Sequence, residues 1–143
     1  MIERKLDNCL ALETNSIKEC ILYLEKSTKQ IIFVVNKNKK LLGSLTDGDL
    51  RRAILKNYDL DAKIKSIYKK KPIKCLKDIS SNEALQIMQS NKINHLPIVD
   101  QKNKIIAFYS RNYFKTDKRE IECDFVIMAG GKGTRLRPYT NNR

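Results

Sequence analysis

Apolar positions recur in two matching registers, 64 residues apart. Ser16–Leu50 aligns without a gap on Ser80–Phe114. The apolar pairs Ile21/Leu85, Leu24/Met88, Ile32/Leu96, Val34/Ile98, Leu41/Ile105 and Leu42/Ile106 all coincide. Identities are few (Ser16/Ser80, Glu19/Glu83, Val35/Val99 and Lys40/Lys104), so the register carries the repeat. Ser16-x-x-Glu19 and Ser80-x-x-Glu83 have the spacing of capping boxes, in which a hydroxyl and a carboxylate satisfy the free N–H groups that open a helix. Ile17, Cys20, Ile21 and Leu24 follow at helical spacing, as do Ala84, Leu85 and Met88. The β-branched runs Ile31–Val35 and Leu96–Val99 predict strands. Polar turns at 36–39 and 100–103 lead into second strands at Leu41–Leu45 and Ile105–Tyr109. A short strand is expected before each helix, near Leu10–Leu12 and Ile73–Leu76. The first copy continues into a helix from about Gly48 to Lys56; in the second, Tyr113–Lys118 is a poor helix.

The predicted fold class is α+β, built from two β-α-β-β-α units. One unit of about 55 residues buries only ~60% of its unfolded surface and is marginal alone. Two copies should therefore pack sheet to sheet and share a core. Clefts remain where hairpin ends and helix starts converge.

Composition narrows the function. The 143 residues carry 29 Lys and Arg against 16 Asp and Glu, a net charge of +13. A basic balance suggests nucleic acid, but Lys, Ile and Asn together number 50, the bias that AT-rich codons produce. The one dense basic run is Lys63–Lys77, with seven lysines and no acid. Aromatic residues make up only 7%, and no base-stacking motif is present. A phosphate-bearing ligand is favoured over nucleic acid. Cys9, Cys20, Cys75 and Cys123 match no paired metal or redox spacing, so all four read as reduced and structural. His95 is the sole histidine; at a strand start it reads as packed or half-exposed, and no metal site is expected. No apolar run suits a membrane span or a signal peptide, which predicts a cytoplasmic protein.

The sharpest local feature is Gly43-Ser44-Leu45-Thr46-Asp47-Gly48-Asp49-Leu50-Arg51-Arg52. A strand ends at Thr46, Asp47 is placed to cap the next helix, and Gly48 and Asp49 fall in its first turn. Free N–H groups there favour a phosphate, and a carboxylate at Asp49 suits a ribose diol. The plain alternative is that both acids only complement the helix dipole.

The repeat, with Gly-x-x-Thr-x-x-Asp after its second strand and Leu96-Pro97-Ile98-Val99-Asp100 in the second copy, resembles the CBS domain over about residues 8–116. CBS domains occur in tandem as Bateman modules. The resemblance implies two CBS repeats (1–66 and 67–116) packed as a pseudo-twofold pair, assembly into homodimers, and an adenine nucleotide (AMP, ADP or ATP) as regulatory ligand. The family's ribose aspartate falls on Asp49, its hydroxyl partner on Thr46, and its base-pocket residues on Thr14 and Asn15. The second copy departs from the pattern. Ser110-Arg111-Asn112-Tyr113 puts Tyr113 where the ribose carboxylate would stand, so one nucleotide site is expected rather than two. Arg111 is then either a phosphate contact for the first site or an exposed arginine.

At the C-terminus, Phe125–Ala129 is a continuous apolar run that enters Gly130-Gly131-Lys132-Gly133-Thr134-Arg135, where three of the five glycines fall. Residues 126–140 resemble the opening of sugar-1-phosphate nucleotidyltransferases. The resemblance implies that Gly130, Gly131, Gly133, Thr134 and Arg135 hold a nucleoside triphosphate. The parent reaction would join NTP and sugar-1-phosphate to NDP-sugar and pyrophosphate, with Mg²⁺ needed only in the full-length parent. Residues 117–143 are expected to be a linker and the start of such a domain, too short to be catalytic, with no complete catalytic set in this chain. The expected whole is a regulatory CBS pair of a nucleotidyltransferase. A stand-alone CBS interaction module and a basic nucleic-acid binder are the rivals.

Overall fold

The computed structural model describes residues 2–76 and 79–111. The expectations for Tyr113, the helix at 113–118, Cys123 and the glycine-rich stretch lie outside the described residues.

The elements follow the apolar register. The first half contains β1 (Ile2–Glu3), β2 (Leu10–Leu12), α1 (Ile17–Lys26), β3 (Ile31–Val35), β4 (Leu41–Thr46) and α2 (Asp47–Leu55). A single 3₁₀ turn at Ile64–Ser66 leads to β5 (Lys69–Lys70), β6 (Cys75–Leu76), α3 (Ser81–Ser90), β7 (His95–Val99) and β8 (Ile105–Ser110). Both expected capping boxes form. Ser16 Oγ accepts from the Glu19 N–H at 3.2 Å while Glu19 Oε2 accepts from the Ser16 N–H at 2.7 Å, and Ser80 and Glu83 repeat both contacts at the same lengths.

α2 corrects one expectation. Its N-cap is Thr46, still extended at φ −108° and ψ 165°, and Asp47 is already the first helical residue. Thr46 and Asp49 form a third capping box, the same three-residue spacing with the shorter acid.

The repeat becomes a pseudo-twofold pair at the hairpin ends. Asn36 Oδ1 accepts from the N–H groups of Asn38 and Lys40, and Asp100 Oδ1 does the same for Lys102 and Lys104. The two turns then bond to each other: the Leu41 N–H donates to the Asn103 carbonyl at 2.9 Å, and the Ile105 N–H to the Lys39 carbonyl at 3.3 Å. These contacts interchange under the 64-residue shift. Even the irregularity in strand register recurs, at Val34/Val35 and at Ile98/Val99.

Two four-stranded sheets result, ordered β2-β3-β4-β5 and β1-β8-β7-β6. The sequence pattern does not predict β1 or β5, and the two exchange places. β1 opens the first repeat yet pairs with β8; β5 lies beyond residue 66 yet pairs with β4. Each half therefore lends a short edge strand to the other's sheet. Gly43 permits this on β4, since a Cβ there would sit 2.2 Å from the Tyr68 ring and 2.4 Å from the Lys69 carbonyl oxygen.

Burial follows strand alternation. Ile32 and Val34 face the α1/α2 side with Leu45, Leu50 and Ala53. Ile31, Phe33 and Val35 face the other sheet and pack with Val99, Ile105 and Phe108. Leu96, Ile98, Ala107 and Tyr109 meet Ala84 and Met88 of α3. Cys9, Cys20 and Cys75 are buried free thiols, and burial pushes Cys20 up to about 12 and Cys75 up to about 11. Such thiols behave as small hydrophobes.

Candidate functional site

A cavity of about 520 Å³ opens between the two halves, within the range typical of small-molecule sites. Ile31, Phe33, Pro72, Ile73, Ile93 and Pro97 give it apolar walls. Thr46, Asp47 and Gly48 bring the start of α2 to its edge, and Lys69, Lys70, Lys71 and Lys92 add ammonium groups. A cavity that combines apolar walls with a helix N-terminus and several cations can seat a flat heterocycle together with an anion.

Asp49 stands behind Thr46 and is not a lining residue. Its Oδ2 accepts from the Thr46 N–H at 2.9 Å and from the Thr46 hydroxyl at 2.6 Å, and its Oδ1 accepts from Arg52 Nη2 at 2.6 Å. Burial pulls this carboxyl upward. The Thr46 hydrogen bonds, Arg52 and the charge of Lys69 outweigh it and hold the group below the ordinary carboxylate value. Asp49 is thus an ionised helix cap, with only 7% of its side chain exposed.

The other expected residues are dispersed. Thr14 is exposed and Asn15 half-buried, and neither lines the cavity. Asn15 instead shapes the start of α1: its Oδ1 accepts from the Leu12 N–H at 2.7 Å, and its Nδ2 donates to Glu19 at 3.1 Å. Arg111 is half-buried, is not a lining residue, and donates its main-chain N–H to the carbonyl of Asn94, a residue that does line the cavity. Of the five, only Thr46 reaches the wall.

His95 packs as its place at a strand start suggests, its ring meeting Phe108 edge-on at 6.0 Å. It also lines the cavity. Burial pushes it down to about 4 against a main-chain hydrogen bond with Lys29, so it is neutral near pH 7. The lysines of 69–71 and the 92–95 turn are site residues that the motifs do not single out. The available signal is the acid-free lysine run, the one dense basic stretch of the chain, which becomes a cavity wall only when β5 pairs with β4.

The pseudo-symmetric position is built differently. The shift takes Thr46 to Ser110, Asp47 to Arg111 and Ile93 to Lys29. Strand pairing takes Lys69, opposite Ser44, to Glu3, opposite Phe108. Lys29 Nζ and Glu3 Oε2 close on each other at 2.6 Å, with side chains 27% and 15% exposed. An ion pair thus bridges, in one half, the positions that flank the cavity in the other.

Among the described residues no group of three His, Cys, Asp or Glu side chains could hold a metal, and no helix is long and apolar enough to cross a membrane.

The fold is similar to solved CBS domain pairs. That of protein MJ0100, solved with 5′-methylthioadenosine and S-adenosyl-L-methionine, superposes with a TM-score of 0.71 at 20% identity, covering 80% of this chain and 92% of that one. The CBS domain protein PAE2072 of Pyrobaculum aerophilum, solved with AMP, gives a TM-score of 0.66 at 22% identity, covering 72% and 79%. An uncharacterised protein of Helicobacter pylori (strain J99) is 33% identical over 100 residues, which is 68% of this chain but 30% of that protein's length. The chain thus spans under a third of that relative. The CBS domain model matches residues 10–56 and 64–113, more than half of the chain. Each match coincides with one of the two halves that the pseudo-twofold relates, so the chain belongs to the CBS domain family as a tandem pair.

Proposed function

We propose that the chain is a regulatory module that binds an adenosine nucleotide in the cleft between its repeats and controls a sugar-1-phosphate nucleotidyltransferase domain in the same protein. The observation that carries the first part is the cavity itself, which combines apolar walls with Thr46, the start of α2 and four lysines. The AMP and S-adenosylmethionine complexes of the similar CBS pairs support an adenosine ligand. The second part rests on Gly130-Gly131-Lys132-Gly133-Thr134-Arg135 and its resemblance to that enzyme family. In this reading the adenine lies on the Ile31–Phe33 side. Arg52, 62% exposed, turns away from Asp49 Oδ1 so that the carboxylate takes the ribose hydroxyls.

Thermal unfolding with AMP, ADP, ATP, GTP and S-adenosylmethionine tests the site. A ligand present at 100 times its Kd adds about 2.7 kcal/mol, a rise of several degrees. Asp49→Ala abolishes that rise. It also removes a helix cap, so the variant without ligand loses about 1 kcal/mol. If none of the compounds raises the melting temperature, the assignment is wrong.

A homodimer belongs to the same proposal. Leu22 of α1 and Ile54 and Leu55 of α2 are exposed apolar residues on the helical side of the first sheet. Sedimentation equilibrium should give twice the 16.6 kDa chain mass; a monomer at high concentration, with and without nucleotide, rules the dimer out.

A further inference from the structure

The cavity wall has a strong charge imbalance. Lys69, Lys70, Lys71 and Lys92 face a single lining carboxylate, Asp47, whose Oδ2 is taken by Arg51 Nε at 2.8 Å. None of the four lysines belongs to an ion pair within the described residues. They come from two separate segments, β5 with the turn after it and the turn before β7, so they border the cavity from two sides. Asp47 and Gly48, the first two residues of α2, add the positive end of a nine-residue helix. At the pseudo-symmetric position Glu3 stands in place of Lys69 and pairs with Lys29.

A nucleoside monophosphate has one dianionic group to set against this wall, and S-adenosylmethionine carries a cationic sulfonium that the wall repels. Each additional phosphate extends the negative chain toward more of the lysines. We propose that the ligand of this cleft is a nucleoside polyphosphate of two or more phosphates, with Lys69, Lys71 and Lys92 as the residues that select it over the monophosphate. This rests on the reading of the cleft as the nucleotide site.

Titration calorimetry of the whole chain at low salt, with adenosine, AMP, ATP, S-adenosylmethionine and inorganic tripolyphosphate, tests it. ATP should bind at least about tenfold tighter than AMP, a difference of about 1.4 kcal/mol, and lose most of that margin at high salt. In Lys69→Gln/Lys71→Gln/Lys92→Gln the ATP-to-AMP ratio should fall to near one; an unchanged ratio in a variant that still binds adenosine overturns the selecting role of these lysines. AMP or S-adenosylmethionine binding as tightly as ATP overturns the polyphosphate proposal and leaves the adenosine site standing. Tripolyphosphate binding without any adenosine compound supports the anion wall and overturns the adenosine reading. Binding of none of the five overturns both.

Discussion

Phe108→Ala should lower the free energy of unfolding by about 3–5 kcal/mol, the range for truncating a large buried aromatic. Phe108 has no exposed surface and sits between the two sheets. Its ring meets Phe33 at 5.2 Å, tilted by 57°, and His95 at 6.0 Å. Phe33 belongs to β3 and His95 to β7, so one side chain ties the first sheet to the second. Neither sheet can collapse far into the void without dragging its helices from their own packing, so the hole persists. For a domain whose total stability is typically about 5–15 kcal/mol, such a loss is a large share. Phe33 and His95 also line the cavity between the halves, so on the proposed function the same variant should weaken any ligand-induced stabilisation. Leu55→Ala is the control: Leu55 is 82% exposed, and its truncation should cost no more than about 0.5 kcal/mol. Urea midpoints measure both. Equal, small losses at the two positions would mean that the inter-sheet core does not hold the pair together.

Stability should also fall by about 3 kcal/mol between pH 6.5 and pH 4, through His95 alone. Burial is the main cause of its low pKa of about 4, assisted by the nearby charge of Lys29 and opposed by a hydrogen bond to the Lys29 main chain. In the unfolded chain the imidazole titrates near its ordinary value of about 6.5. Between those values the unfolded state binds the proton and the folded state does not, so stability is complete above about 6.5 and is lost as the pH falls toward about 4. His95→Gln should flatten that part of the profile. Below it, a second loss should set in. Asp49, Glu19 and Glu83 all have lowered pKa values as helix caps, so their contributions are present above the ordinary carboxylate range and vanish as each protonates. An unchanged slope over that range in His95→Gln would remove His95 as its source.

The contrast between Glu19 and Lys69 shows how far the chain can be read in one dimension. Glu19 acts on Ser16, three residues away, and the spacing alone announces the contact. Thr46 and Asp49 obey the same rule and are legible in the same way, although the neighbouring Asp47 offers a competing cap. Lys69 acquires its role only by lying opposite Ser44. Thr14 and Asn15 illustrate the converse: positions transferred by resemblance lie at a helix start, but not on the cleft wall.

By itself, therefore, the sequence determined the two repeats, their helices and caps, the strands β3 and β7, and the matched hairpin turns at Asn36 and Asp100. All of these depend on interactions within about five residues, or on a periodicity that any single element must satisfy. Only the tertiary structure decided that β1 and β5 change sheets, that four lysines and His95 border one cavity, and that Glu3 and Lys29, 26 residues apart, pair at the pseudo-symmetric position. Those features arise where the pseudo-twofold brings distant edges together. A two-residue strand has too few contacts of its own to declare a partner, and it pairs wherever a packed sheet leaves an open edge.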